Sequence, residues 1–228
     1  GQHYATEKLF NDQVDQCDLM QESIKYFANI LTPFNAILRK KLDEVIALGL
    51  PIDMIATSHG VIWRDNPLQI VEKYVAWAND YQENQITIIY DTMWNGTKEL
   101  AERIAEGITL EDQEVVVKVF NLAKSDLNDV ITEVFKSKTV AVGSPTIGND
   151  ILHSVAAFTH YTKSMKFKNK KAAAFGCYGW SGESVKVLNK HMQDAGFEII
   201  GEGYRNQWNP DEDAKKSAIE FGKTIAKP

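Results

Sequence analysis

The chain has 228 residues, 44% hydrophobic and 25% charged, a globular balance with length for one large domain or two small ones. Its formal net charge of -6 works against sequence-independent nucleic-acid binding, which needs clustered Lys and Arg to displace phosphate counterions. Two cysteines, Cys17 and Cys177, far apart and in no CxxC pair, exclude a disulfide framework and a four-cysteine iron or zinc site within this chain.

From the N-terminus, Leu19, Ile24, Phe27, Ile30 and Leu31 recur at helical spacing and predict a helix from Asp18 to Leu31. Pro33 can open a second helix running through Leu48, which Gly49 stops. The short β-rich stretch Ile52 to Thr57, ending at Ser58-His59-Gly60, predicts a strand, and an amphipathic helix follows Pro67 to about Asp80. Two helices, a strand and a helix are too little for a sheet-based domain unaided.

After Gln82-Glu83-Asn84 a regular alternation begins. Strands are expected at Ile86 to Tyr90, Val115 to Phe120, Thr139 to Val142, Ala172 to Phe175 and Phe197 to Gly201. Helices are expected at Thr97 to Glu106, Ser125 to Phe135, Ile151 to Thr162, Glu183 to Ala195 and Asp211 to Ala226. Five βα units imply an α/β fold with one open parallel sheet and helices on both faces. In such folds ligands bind where the strands end, which directs attention to the loops after the first, third and fourth strands. No run of some 18 apolar residues appears, and the start lacks the order of a signal peptide, so a soluble, cytoplasmic chain with no membrane partner is expected. The opening Gly1-Gln2-His3-Tyr4, without Met, leads us to expect a fragment or processed product.

The first of these loops, Asp91-Thr92-Met93-Trp94-Asn95-Gly96-Thr97, runs from a strand into a helix and offers hydroxyls, a glycine and free amide hydrogens. Backbone N–H groups at a helix N-terminus hold a phosphate monoester without Arg or Lys; helix capping by Thr92 and Thr97 explains the same residues equally well. The other two are Gly143-Ser144-Pro145-Thr146-Ile147-Gly148-Asn149 and Gly176-Cys177-Tyr178-Gly179-Trp180-Ser181-Gly182. A planar ring needs close backbone approach and aromatic walls, which the glycines with Trp94, Tyr178 and Trp180 supply. Turn chemistry accounts for one such loop, but three at the carboxyl ends of strands favour a binding site.

Other motifs fail. Gly201-Glu202-Gly203 lacks the third glycine of a dinucleotide fingerprint and does not open the first βα turn. Gly222-Lys223-Thr224 ends like a P-loop, but Ser217 stands where its first glycine belongs. None of the histidines His3, His59, His153, His160 and His191 opens an H-x-E or H-E-x-x-H order, so no local metal cluster is read.

The three loops resemble those of flavodoxins and, more narrowly, of the flavodiiron proteins, also called A-type flavoproteins, the flavorubredoxin branch being nearest. In that family a YDTMW-x-x-T phosphate loop, a GSPT-x-x-N loop and an FG-x-x-GWSGE loop surround FMN. Their counterparts here are Tyr90 to Thr97, Gly143 to Asn149, and Phe175 to Glu183. The likeness extends upstream through Gly1 to Ala5, Leu9 to Asp12, Tyr26 to Phe34 and Ser58 to Arg64.

The resemblance implies a flavodoxin-like five-stranded sheet of order 2-1-3-4-5 over residues 84–228. Residues 1–83 would then be the C-terminal remnant of a metallo-β-lactamase-like diiron domain, a partial αα-β-α segment. It implies FMN contacts from Thr92, Met93, Trp94, Asn95, Gly96 and Thr97, from Ser144, Pro145, Thr146, Ile147, Gly148 and Asn149, and from Gly176, Cys177, Tyr178, Gly179, Trp180 and Ser181. It also implies an oxidoreductase that passes electrons from rubredoxin or a similar donor through FMN to iron, reducing oxygen or nitric oxide in a head-to-tail homodimer. His59 matches the family's final histidine ligand, the other ligands lying before the position of Gly1. A stand-alone flavodoxin-like electron carrier, or a flavin-free interaction module on the same fold, are the competing readings.

Overall fold

The computed structural model describes residues 1–227, which divide into two compact units, Gly1–Tyr81 and the chain from Gln82 onward. In the first, α1 (Gln16–Tyr26) starts where the Asp15 carboxylate accepts the Asp18 amide at 2.9 Å. The predicted helix does not run regularly to Leu31. It relaxes into a π turn at Phe27–Leu31 and a 3-10 turn at Thr32–Phe34, because Pro33 has no amide hydrogen to continue the ladder. Thr32 Oγ1 donates to the Ala28 carbonyl at 3.0 Å, occupying one of the freed acceptors.

Helix α2 (Asn35–Ala47) follows, then α3 (Leu68–Trp77). Leu19, Phe27, Trp63, Ile70 and Trp77 form the unit's core, with the Phe27 ring 5.2 Å from that of Tyr74 and 5.5 Å from that of Trp77. The expected strand from Ile52 to Thr57 is absent. Ile55 makes a single antiparallel bridge with Trp63, since Pro51 on one side and the Ser58–Gly60 turn on the other leave no length for a ladder.

The second unit is the alternating one. Its strands are β1 (Glu83–Tyr90), β2 (Val116–Asn121), β3 (Ser137–Gly143), β4 (Lys171–Tyr178), β5 (Glu198–Ile199) and β6 (Tyr204–Gln207). Its helices are α4 (Gly96–Glu111), α5 (Leu127–Lys136), α6 (His153–Met165), α7 (Glu183–Asp194) and α8 (Glu212–Ala226). All pairings are parallel, in the order β2-β1-β3-β4-β5. The fifth position is not one strand. β5 pairs with the first half of β4 and β6 with its second half, and the chain bends outward between them at Gly201 and Gly203, both at positive φ.

Burial explains the layers. From Gln85 to Tyr90 every residue of β1 is buried, as a central parallel strand covered on both faces requires. Ile86, Ile88, Ala141, Ala173 and Phe175 face Leu100, Ile104 and Ile108 of α4 and Ala218 and Ile225 of α8. The alternate positions Thr87, Ile89, Val140 and Val142 point to the opposite face, where α5 packs on β1 and β3 and α7 on β3 and β4. At the N-terminal end of the sheet the buried polar groups are mutually paired. Gln85 Nε2 donates to Glu133 Oε2 at 2.8 Å, Thr87 and Ser137 hydroxyls lie 2.7 Å apart, and Lys170 Nζ donates to the Phe135 and Ser137 carbonyls. The C-terminal end of the sheet is the open one.

Candidate functional site

Where β1 ends, Asp91 stitches the first loop down. Its amide donates to the Gly143 carbonyl at 3.2 Å, and its carboxylate accepts the Thr92 amide at 2.7 Å and the Ser154 hydroxyl at 2.5 Å. The loop turns into α4 through Asn95, whose φ of 66° is a left-handed conformation that Asn tolerates better than most residues. No side chain caps α4 at Asn95, and its first internal bond is Glu99 N–H to the Asn95 carbonyl. The amides of Gly96, Thr97 and Lys98 are therefore free of intrahelical acceptors and carry the positive end of the helix dipole.

The second and third loops are zipped together beside it. Ser144 N–H donates to the Phe175 carbonyl at 3.1 Å and Thr146 N–H to the Cys177 carbonyl at 2.9 Å. Thr146 Oγ1 accepts the Ser184 amide at 3.2 Å, tying both to the start of α7. This closeness needs glycine at position 176, where a Cβ would lie 2.0 Å from the Ser144 carbonyl oxygen.

Together the loops enclose a cleft of about 520 Å³, a size suited to a nucleotide-like ligand. It is lined by Thr92, Met93, Trp94, Gly96 and Thr97, by Pro145 and Thr146, and by Cys177, Tyr178, Gly179 and Trp180. No Lys or Arg lines it among the described residues. At its phosphate-nest end Thr92 Oγ1 and Thr97 Oγ1 are buried without a hydrogen-bond partner; Thr97 has beside it only the Cys177 thiol, a weak donor. Two orphaned hydroxyls at an uncapped helix N-terminus fit a phosphate group, whose oxygens would accept from both. On the same wall Trp94 and Trp180 stand 81% and 88% exposed, an unusual outlay of aromatic surface that a stacked planar ring would cover. Burial pushes the Cys177 thiol up to about 11, so at neutral pH it stays uncharged beside Thr97.

Seven of the sequence-derived contacts are not on the cleft wall. Asn95 shapes the loop behind it. Ser144 is fully buried, its hydroxyl donating to the Pro145 carbonyl and accepting the Leu152 amide, so it holds the loop's shape. Gly176 provides clearance within the sheet. Ile147, Gly148 and Asn149 make a tight two-residue turn closed by reciprocal Ile147–Asp150 backbone bonds, with φ of 57° and 60° at its centre. Ser181 lies just beyond the cleft before α7. Conversely, Trp208 and Asn209 line the cleft and were not read from the sequence. They arrive because β6 extends alongside the end of β4, with Trp208 N–H donating to the Tyr178 carbonyl at 2.8 Å. The signal was the Asn206-Gln207-Trp208-Asn209-Pro210 run after the glycine bend.

In the first unit His59 is exposed, its ring 5.4 Å from that of His3 and 6.0 Å from that of Tyr26. Among the described residues no group of three or more His, Cys, Asp or Glu is arranged to hold a metal, so the residues present do not fit a diiron centre. No helix among them is long and apolar enough to cross a membrane.

Comparison with known proteins agrees with this geometry. The Flavodoxin family profile matches residues 88–222. The chain is 50% identical over 227 residues to the anaerobic nitric oxide reductase flavorubredoxin of Escherichia coli strain K12, covering 100% of this chain and 47% of that protein. It thus spans about half the length of the curated relatives it matches. Among solved structures it superposes on rubredoxin oxygen:oxidoreductase from Desulfovibrio gigas with TM-score 0.94 at 32% identity, covering 99% of this chain and 56% of that one. The flavodiiron protein from Giardia intestinalis gives TM-score 0.93 at 29% identity, with 99% and 56% covered.

Proposed function

The chain belongs to the flavodoxin family, and from that premise we propose that its cleft holds FMN as the electron-carrying part of a flavodiiron-type oxidoreductase. The observation that carries this is the pair of buried, unpartnered hydroxyls of Thr92 and Thr97 at the uncapped start of α4. The amides of Gly96, Thr97 and Lys98 would hold the phosphate with them, while Trp94, Tyr178, Trp180 and Trp208, which line the same cleft, would cover the ring. When bound, the isoalloxazine ring supplies reversible uptake and release of one or two electrons. Neutral donors suit this task, because a phosphate held by amides and hydroxyls leaves no mobile cation near the ring to vary its redox balance.

For the protein to which these residues belong, the reading extends to reduction of oxygen or nitric oxide, with electrons taken from a rubredoxin-type donor. The names of the relatives support it: one is an anaerobic nitric oxide reductase flavorubredoxin, another a rubredoxin oxygen:oxidoreductase. In the same reading residues 1–83 are the end of a metallo-β-lactamase-like domain, His59 is one iron ligand, and the molecule works as a head-to-tail homodimer in the cytoplasm. A stand-alone flavodoxin-like carrier with no metal chemistry is the competing reading; 50% identity along the whole chain to a nitric oxide reductase flavorubredoxin supports the first over it.

Titration of the flavin-free chain with FMN, followed by fluorescence quenching and the visible spectrum with iron analysis, tests the proposal. Stoichiometric FMN uptake is expected, with iron well below two per chain. A chain that leaves added FMN in free solution sinks the proposal. Nitric oxide or oxygen turnover that appears only when the missing half of the relatives is supplied separates the enzyme reading from the carrier reading.

A further inference from the structure

The tip of the third loop, Tyr178 to Trp180, lies on the cleft wall, and its backbone is fastened by the end of β6. Trp208 N–H donates to the Tyr178 carbonyl at 2.8 Å, and Gln207 Nε2 donates to the Gly179 carbonyl at 2.8 Å. The first bond is main chain to main chain and continues the β4–β6 pairing. The second depends on one side chain, which is exposed and does not line the cleft. Asn206 Nδ2 braces the same bend, donating to the Gln207 and Trp208 carbonyls at 3.2 and 3.1 Å. Trp208 is held there at a φ of 60°, an outlier for a bulky side chain that persists only where its surroundings over-determine it. A Cβ on Gly179 would lie 3.1 Å from the Trp208 ring, so glycine is what lets ring and loop meet.

The same glycine leaves the Gly179–Trp180 peptide free to swing unless something holds it. A trans peptide points its N–H and its C=O in opposite directions. With the carbonyl taken by Gln207, the Trp180 N–H is turned away from Gln207, and among the described residues it has no acceptor. Gly179 and Trp180 both line the cleft, so this free donor sits on the wall that faces the ligand. Reduction adds electron density to a heteroaromatic ring, so a fixed N–H is worth more to the reduced ring than to the oxidised one; a carbonyl in its place does the reverse.

We propose that Gln207 is a positioning residue for the flavin: by holding the Gly179 carbonyl it presents the Trp180 N–H to the bound ring and favours the reduced form. This rests on the FMN reading above. Gln207 acts through the Gly179 peptide, from off the cleft wall.

The test is Gln207→Leu, which keeps the bulk of the side chain and removes its donor. Oxidised FMN and dithionite-reduced FMN are each titrated anaerobically into the flavin-free parent and variant. The variant is expected to lose about fivefold or more in affinity for reduced FMN relative to oxidised FMN, the worth of one hydrogen bond, and its midpoint potential falls accordingly. Amide NMR should show the Trp180 N–H shifted by FMN in the parent and much less so in the variant. The melting temperature of the flavin-free chain should hold, because Gln207 is exposed. Equal losses for the two redox forms assign Gln207 a merely structural role and overturn the proposal, as do unchanged affinities or a shift in favour of the reduced form. A parent chain that takes up neither form of FMN fails the flavin reading itself, whereas uptake by the parent with an unaltered ratio in the variant fails this proposal alone.

Discussion

Thr92 and Thr97 look like helix caps in the sequence, yet neither hydroxyl bonds a backbone amide; both are buried and unpartnered at the open end of the sheet. Replacing either with valine therefore removes no capping bond from the flavin-free fold, and at Thr97 only the weak contact with the Cys177 thiol. Thr92→Val and Thr97→Val are each expected to weaken FMN binding by roughly tenfold or more, the worth of a hydrogen bond to a charged group, with the melting temperature of the flavin-free chain unchanged. Fluorescence titration and a thermal scan on the same samples check this; a drop in melting temperature with unaltered affinity would reassign both residues to capping. Cys177 adds a pH dependence. Its thiol, pushed from an ordinary value of 9.0 to about 11 by burial, favours the protonated form in the folded state. That contribution is whole below pH 9 and is lost as pH rises toward 11, because the unfolded thiol ionises first. Urea unfolding of the flavin-free chain should show stability falling over this window relative to Cys177→Ala. A difference that stays flat with pH removes the thiol from the account.

At the scale of elements, the N-terminal end of α4, proposed to hold the phosphate, is set by how α4 lies on α8. The two helices meet backbone to backbone: a Cβ on Gly107 would sit 2.0 Å from the Ile219 carbonyl oxygen, and one on Gly222 would sit 2.2 Å from that of Ile104. Gly222, which in the sequence only belongs to the end of a failed P-loop match, is thus half of a helix crossing. Gly107→Ala or Gly222→Ala must spread the helices, at a cost of about 1–3 kcal/mol for overpacking, and should also weaken FMN binding by tilting the N-terminus of α4. Denaturant melts and flavin titration together test this; a stable variant with unaltered affinity would show the crossing to be slack. The βα alternation itself was legible because each strand from β1 to β4 is a run of small or β-branched residues between turn signals. The fifth strand was legible only as Phe197 to Gly201. Its second piece, Tyr204–Gln207, is a polar stretch whose partner is the far half of β4, a long-range pairing that local pattern does not reveal.

For the molecule as a whole, the unequal self-sufficiency of the two units is the leading feature. The second unit closes a core around β1 and β3, whereas α2 in the first has no buried residue and leaves Ile37, Val45 and Ile46 exposed. The chain from Gln82 onward, expressed alone, is therefore expected to unfold cooperatively and bind FMN with the affinity of the whole chain. Equilibrium unfolding and flavin titration of that segment decide the matter. Loss of FMN binding on removing Gly1–Tyr81 would mean that the first unit contributes to the cleft.

The sequence by itself determined the parallel sheet, the three loops at its open end and most of the cleft wall, because strand and helix periodicity and glycine-rich turns are local properties written residue by residue. Tertiary structure alone decided which hydroxyls stay unpartnered and which loop residues serve the loop's own shape, as Ser144 and the Ile147–Asp150 turn do. It also decided that Trp208 and Asn209 join the site, and that Ile52 to Thr57 forms one bridge in place of a strand. Each of these depends on what distant segments bring within hydrogen-bonding or packing distance, and a segment of chain carries no record of its neighbours until the fold assembles them.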